Sequence, residues 1–153
     1  MKILLLMGIF AFIALVMSGC SSVRKTQQLG LIDGQLRPCP DSPNCVSSMA
    51  TDAAHQVDPF QLQVAPKEAW TAMKKTVPEL ARTQIVLATE NYLHVECRSA
   101  VFSFVDDLEL HLLPKQQQIA VRSAARRGYS DFGVNRKRVE ELRKKLRAAG
   151  VVR

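Results

Sequence analysis

Residues 84–125 read QIVLATENYLHVECRSAVFSFVDDLELHLLPKQQQIAVRSAA, and they give the clearest indication of the architecture of this chain. Apolar and polar side chains alternate along it, which is the pattern of strands with one buried face. We expect strands at Gln84–Thr89, Tyr92–Ser99, Val101–Leu113 and Gln118–Ala125. Because only short turns separate these strands, the stretch predicts a four-stranded antiparallel meander.

A helix is expected on each side of the meander. Pro66 suits the first position of a helix over 66–77, in which apolar residues recur every three to four positions. A second helix is expected over 134–149, with its basic residues away from the apolar stripe. That stripe consists of Val139, Leu142, Leu146 and Ala149. The prediction is an α+β domain whose N-terminal and C-terminal helices pack on one face of the sheet.

Three residues of the predicted strands stand out from the alternation. His94 falls on the polar side of its strand, where we expect it to be exposed, and Cys97 falls on the apolar side, where we expect a buried thiol. Asp106 interrupts an apolar row that runs from Phe102 to Leu112. A buried carboxylate is costly unless it is paired. Either a bulge turns Asp106 outward or it pairs with an arginine, and a ligand or catalytic role is the alternative. The candidate partners come from the next strand and its end and are Arg122, Arg126 and Arg127.

The densest polar cluster joins the fourth strand to the second helix. Asp131 or Asn135 can cap this helix, but residues 136–138 place positive charge in its first turn, where that charge opposes the helix dipole. The compensating group is either a nearby aspartate, which makes a structural network, or a bound anion. The candidate residues for an anion-binding or partner-binding site are Asp106, Arg122, Arg126, Arg127, Tyr129, Asp131, Asn135 and Arg136.

Residues 30–58 are rich in Gly, Pro, Asp, Asn and Ser and predict a long irregular segment. Cys39 and Cys45 lie within it and bracket five turn-forming residues, two of them prolines. These prolines restrict the chain and can hold the thiols within bridging range, so we expect a disulfide. The alternative is a zinc or redox pair, but only His55 lies nearby and the spacing exceeds that of a CxxC motif.

The first 20 residues have the pattern of a secretion signal that ends at a cysteine. Lys2 supplies the positive start, and residues 3–17 form an apolar or small run that is shorter than the roughly 20 residues a transmembrane helix needs. The ending Met17-Ser18-Gly19-Cys20 resembles the bacterial lipobox. This resemblance implies removal of residues 1–19 and acylation of Cys20. Ser21 after the anchor then implies the outer membrane, with the domain facing the periplasm.

The remaining chain has the length of one domain. We expect a lipidated N-terminus and tether over 20–35 and a single globular domain over 36–150. The net charge is +7, and residues 136–147 contain seven Lys or Arg against two Glu. Such a face can meet nucleic acid, anionic headgroups or an acidic polymer, or it can simply be a solvated helix face. Export makes nucleic acid the least expected partner.

Three separated motifs resemble the bacterial and plastid family known as domain of unknown function 1499. They are residues 39–48, which read CPDSPNCVSS, residues 104–107, which read FVDD, and the segment from Arg122 to Arg138. Their order and spacing cover most of the chain from Leu36 to Leu146. The family pattern Arg-Ser-x-Ser-Arg has Ala125 at its second serine here, which removes one hydroxyl. The resemblance implies the domain but no reaction.

The leading functional expectation is a non-enzymatic envelope lipoprotein that binds a ligand or a protein partner around residues 126–136. The alternative is an enzyme that acts on cell-wall or lipid material with Asp106 or Asp131 as its acid-base group. No nucleophile elbow, HExxH pair or glycine-rich phosphate loop is present in the sequence. We therefore expect no catalytic residue, metal or cofactor. A purely structural partner of another envelope protein would expose an apolar patch near the meander.

Overall fold

The computed structural model of the chain describes residues 28–153. The predicted signal peptide over 1–19, the lipid site at Cys20 and the first part of the predicted tether lie outside the described residues. Within residues 28–153, none of the helices combines the length and the apolar character that crossing a bilayer requires.

The described residues form an α+β fold with two helices and a mainly antiparallel sheet. The helices are α1 (Pro66–Thr76) and α2 (Val134–Ala148), and 3-10 turns at Val77–Glu79 and Pro114–Gln116 follow α1 and the seventh strand. The strands are β1 (Leu31–Ile32), β2 (Gln35–Leu36), β3 (Cys45–Ser47), β4 (Phe60–Gln61), β5 (Thr83–Ala88), β6 (Tyr92–Arg98), β7 (Val105–Leu113) and β8 (Gln118–Ala125).

The main sheet has six strands rather than the predicted four. The predicted meander is present as β5 to β8, because each of these strands pairs antiparallel with the next. The short strands β3 and β4 both pair with the outer edge of β8, at different positions along it. β1 and β2 form a separate two-stranded hairpin. Strands of two or three residues are too short to show alternation, so alternation predicts none of them.

β7 begins at Val105, later than predicted, because the chain reverses its direction just before it. Val105 pairs with Arg98 at the end of β6. In the turn between them, the Ser99 N–H donates to the Phe104 carbonyl at 2.9 Å, and the Phe104 N–H donates to the Ser99 hydroxyl at 3.0 Å. Phe102 and Phe104 are exposed. The prediction that they belong to a buried strand row was wrong, since they continue the alternation only in sequence.

One face of the sheet carries the apolar core and packs against both helices. Trp70 of α1 is buried, and its indole N–H donates to the Thr89 carbonyl at 3.2 Å. Cys97 is a buried free thiol, as expected, and burial raises its pKa to about 11. The buried core residues include Trp70, Met73, Leu93, Val95, Cys97, Leu108, Leu110, Leu112, Ile119, Val121, Val139, Leu142 and Leu146.

The buried side of α2 is less purely apolar than its stripe predicts. Ala149 lies beyond the end of the helix and is exposed. Arg143 is buried, with its guanidinium 4.6 Å from the centre of the Phe60 ring. It donates to the carbonyls of Asp58 and Pro59 at 2.6 and 3.0 Å. This arginine ties α2 to the segment that leads into β4, so one basic residue of the helix is structural.

The segment that precedes β3 is folded onto the sheet. Leu36 packs with Tyr92 and Ala120, and Leu31 packs against the same cluster. The folded part of the chain therefore includes residues that we expected to belong to the tether. The predicted disulfide between Cys39 and Cys45 is present and leads directly into β3.

Candidate functional site

The second face of the sheet is polar but also buried. His94, Asp107, Glu109 and Arg122 occupy alternate positions of β6, β7 and β8 on this face, and each is at most 7% exposed. The prediction that His94 is exposed was wrong, because the β1–β2 hairpin lies over this face. Four ionisable groups inside the protein require partners, and the partners lie within the same layer.

Glu109 is the centre of one group of hydrogen bonds. Its Oε1 accepts from the Tyr92 hydroxyl and from the Gly30 N–H, both at 2.7 Å, and its Oε2 accepts from Arg122 Nη1 at 2.9 Å. Burial raises the pKa of Tyr92, and the Glu109 carboxylate raises it further. Tyr92 therefore stays a neutral donor. Glu109 holds the hairpin, the tyrosine and the arginine together.

Asp107 is the centre of a second group. It accepts from His94 Nε2 at 2.7 Å and from Arg126 at 2.8 and 2.7 Å. Arg126 also reaches Glu96 at 2.7 Å. Burial by itself would raise the pKa of Asp107, but the hydrogen bonds from Arg126 and His94 outweigh it and hold the pKa below its ordinary value. Because the carboxylate is ionised and only accepts, His94 carries its proton on Nε2.

A cavity of about 580 Å³ lies beside these groups, between the end of β8 and the segment that leads into β3. Arg122, Arg126 and Arg127 line it from one side and Arg37 from the other. No aspartate or glutamate is among the described residues that line it. The other lining residues in the described range are Gln28, Ile32, Pro38, Pro40, Ser42, Asn44, Ala125 and Gly128.

Arg122 is incompletely satisfied. Its side chain is 2% exposed, and its Nε has no hydrogen-bond partner among residues 28–153. A buried N–H without an acceptor costs about 1–3 kcal/mol, so this arginine is held inside the protein at a cost that its ion pair with Glu109 offsets. Carboxylates of the protein pair with Arg122 and Arg126, whereas Arg37 and Arg127 form no ion pair within the described residues. The cavity therefore carries excess positive charge and favours an anion.

Asp106 lies on the other, helix-covered face and does not line the cavity. Its Oδ2 accepts from Arg138 Nη2 at 2.8 Å. Arg138 also donates to the Ser123 hydroxyl and to the Asn135 side-chain oxygen. Asp106 is thus paired, as expected, but its partner is none of the three arginines that the sequence suggested. Arg138 reaches it from the first turn of α2, so an aspartate compensates one of the basic residues there.

The loop between β8 and α2 is held by Asp131, which lies two residues before the N-cap residue Gly133 and accepts N–H groups at the start of the helix. Its two oxygens accept from the backbone N–H groups of Gly133 and Asn135 at 2.9 and 2.8 Å. Asn135 is fully buried and accepts from the Ser123 hydroxyl at 2.6 Å. Arg136 donates to the carbonyls of residues 54 and 56. Tyr129 is exposed.

Of the eight predicted candidates, Arg122, Arg126 and Arg127 come together at the cavity, and the other five hold the fold or point to solvent. Sequence reasoning missed Arg37, Asn44 and Glu109. Asn44 bridges the cavity wall, since its Nδ2 donates to the Gly128 carbonyl at 2.6 Å and its own carbonyl accepts from the Ala125 N–H at 2.9 Å. Its position beside Cys45 is the signal that could have placed it there.

Zinc is not held by Cys39 and Cys45 in this structure, because both sulfurs are joined in the disulfide. Within residues 28–153, no three His, Cys, Asp or Glu side chains lie together in an arrangement that could hold a metal ion.

Comparison with known proteins gives one family. The family model described as "Protein of unknown function (DUF1499)" matches residues 35–146 of the chain. No curated protein and no solved structure matches.

Proposed function

The chain belongs to the DUF1499 family, and because that description carries no activity, we propose a function from the geometry of the cavity. The domain binds a compound that carries a carboxylate or phosphate group, and it does so without catalysing a reaction. The observation that carries this proposal is a cavity lined by four arginines and, within the described range, by no carboxylate.

Guanidinium groups suit such ligands because their planar N–H forks match the oxygens of carboxylates and phosphates. The four arginines have different roles. Asp107 and Glu96 already occupy Arg126, so this residue contributes charge and a fixed wall. Arg37 donates from Nε to the Leu29 carbonyl at 3.2 Å and from Nη1 to Gln28 at 2.6 Å, so it is a fixed part of the wall. Arg127 is exposed and forms no ion pair within residues 28–153, while Arg122 lies inside. A ligand anion would therefore bind chiefly at Arg127, in the positive field of the other three.

The proposed setting is the cell envelope. The pattern of residues 1–20 supports a cleaved signal and a lipid on Cys20, with the domain on the periplasmic side of the outer membrane. The Cys39–Cys45 disulfide supports an oxidising compartment. The proposed partners are the membrane through the N-terminal lipid and an anionic ligand or an envelope protein at the cavity, with no nucleic acid.

The alternative, an enzyme on cell-wall or lipid material, has less support. It needs carboxylates that converge in a cleft. Asp106 is paired with Arg138 under the helices, and Asp131 accepts backbone N–H groups at the start of α2. Neither lines the cavity.

The binding proposal is tested with citrate and inorganic phosphate as probes, by calorimetric titration of the full chain in detergent. Arg127→Gln removes a guanidinium from the cavity, and Arg147→Gln is the matched control, an exposed arginine on α2 outside it. Since a hydrogen bond to a charged group contributes roughly 1.5–3 kcal/mol, Arg127→Gln should weaken binding by about tenfold or more. Binding that is absent, or equal in the two variants, would contradict the proposal.

The lipid anchor is tested separately by growth with labelled palmitate. The full chain should incorporate label, and Cys20→Ser should not. Absence of label in the unchanged chain would remove the anchor but leave the cavity proposal standing.

A further inference from the structure

Large exposed aromatic side chains gather at one end of the sheet. The turn between β6 and β7 exposes Phe102 (72%) and Phe104 (52%), and the loop between β8 and α2 exposes Tyr129 (76%) and Phe132 (89%). We name these four residues the aromatic tip.

The two loops are neighbours rather than scattered features. Both leave the same end of the sheet, where the Arg126 N–H donates to the Val105 carbonyl at 3.2 Å. Within the first loop, the rings of Phe102 and Phe104 lie 5.6 Å apart. Single exposed apolar residues are ordinary, but a group of this kind marks a surface that contacts another apolar phase.

Three arginines, Arg98, Arg126 and Arg127, border the aromatic tip. Glu96 pairs with Arg98 and, together with Asp107, with Arg126. Arg127 forms no ion pair within residues 28–153 and supplies the uncompensated positive charge beside the tip. Both oxygens of Asp131 already accept backbone N–H groups. Aromatic rings bordered by arginines suit the boundary between anionic headgroups and acyl chains.

The position of Gln28, where the described residues begin, also favours a bilayer as the partner of the aromatic tip. Gln28 lines the arginine cavity, as do Arg127 and Gly128 from the loop of the aromatic tip. Cys20 precedes Gln28 by eight positions, and an extended chain of that length reaches at most about 29 Å. A domain tethered at Cys20 is thus held close to the bilayer on the side where the cavity and the tip lie.

We propose that the aromatic tip inserts into the surface of a bilayer that contains anionic lipids. The arginine cavity then lies at the level of the headgroups. This inference rests on the proposed anchor at Cys20 only for the distance to the bilayer, and it does not depend on which anion fills the cavity.

The test uses brominated lipids, which quench nearby tryptophan. The full chain is reconstituted into vesicles of phosphatidylethanolamine and phosphatidylglycerol with brominated acyl chains. Trp70 is the only tryptophan in the chain and gives a constant background from the core. Phe102→Trp and Phe132→Trp each add a reporter at the tip, and Gln116→Trp adds a matched exposed reporter in the turn between β7 and β8, at the opposite end of the sheet.

Interfacial side chains lie about 5–10 Å into the boundary of headgroups and acyl chains, so quenching at 102 and 132 should be several-fold stronger than at 116. Replacing phosphatidylglycerol with phosphatidylcholine should reduce it. Equal quenching at the three positions, none at 102 and 132, or no change without anionic lipid would overturn the proposal. Quenching at the aromatic tip does not depend on palmitate incorporation or on citrate binding. Failure of the labelling or the titration is therefore distinguishable from failure of the quenching experiment.

Discussion

Arg122 and Glu109 form an ion pair that lies wholly inside the protein, between the neighbouring strands β8 and β7. The two side chains are 2% and 0% exposed, and Nη1 and Oε2 are 2.9 Å apart. The same arginine lines the cavity. The pair therefore fixes an arginine of the cavity wall, and the fold and the proposed binding site share this residue.

Replacing this arginine should strongly destabilise the fold. Arg122→Met leaves Glu109 buried without its cation, which costs about 3–5 kcal/mol. Urea denaturation measures the loss. The double variant Arg122→Met/Glu109→Gln should recover most of it, because a neutral amide still accepts from Tyr92 and Gly30. If the double variant is no more stable than Arg122→Met, the loss of stability does not come from an unpaired Glu109 carboxylate.

Asp107 should make the protein sensitive to acid. Its pKa lies below the ordinary value of 3.8 in the folded state, so the unfolded state binds the proton more tightly. Its contribution to stability is complete above about pH 4 and is lost as the pH falls through the folded-state pKa. Urea denaturation across this range should show a shallower pH dependence for Asp107→Asn. Asp41→Asn, at an exposed aspartate, is the control and should keep the slope of the unchanged chain; equal slopes for all three proteins would refute the assignment.

The disulfide should support the cavity as well as the fold. Cys39→Ser/Cys45→Ser opens a short loop, and the chain-entropy estimate gives a loss of about 2 kcal/mol in the free energy of unfolding. Asn44 lies between the bridge and Gly128, so citrate affinity should also fall. Reduction of the unchanged chain with dithiothreitol should reproduce both effects. A folded double-serine variant with full citrate affinity would show that the bridge does not position this wall.

The long strands and both helices were predictable from the sequence because each buries an apolar side at a regular spacing. Their bounds differ from the prediction by a residue or two, except at Phe102 and Phe104, where exposed aromatic residues continue the alternation beyond the strand. The strands β3 and β4 pair with the distant strand β8, and no local pattern in two or three residues indicates such pairing. β1 and β2 pair with each other around Asp33 and Gly34, both at positive φ. An Asp-Gly turn of this kind is a local signal that could have predicted the hairpin.

The candidate site was predictable only in part, for a related reason. The dense arginines identified Arg122, Arg126 and Arg127 by composition. Alternation predicts that the polar face is exposed to solvent. The β1–β2 hairpin covers this face, and alternation within a strand carries no information on such a tertiary contact. His94 and Glu109 were therefore overlooked as buried residues, and Arg37 was overlooked because its place at the cavity follows from how the hairpin docks.

The two short strands along β8 also affect how the borders of the sheet behave at high protein concentration. β3 and β4 occupy the outer side of β8, and a bulge between Ile85 and Leu87 distorts β5 at the opposite border. Unpaired backbone along a sheet border templates growth by added chains, and coverage or irregularity blocks it. Many copies held at high local density should therefore resist stacking into fibres through this sheet.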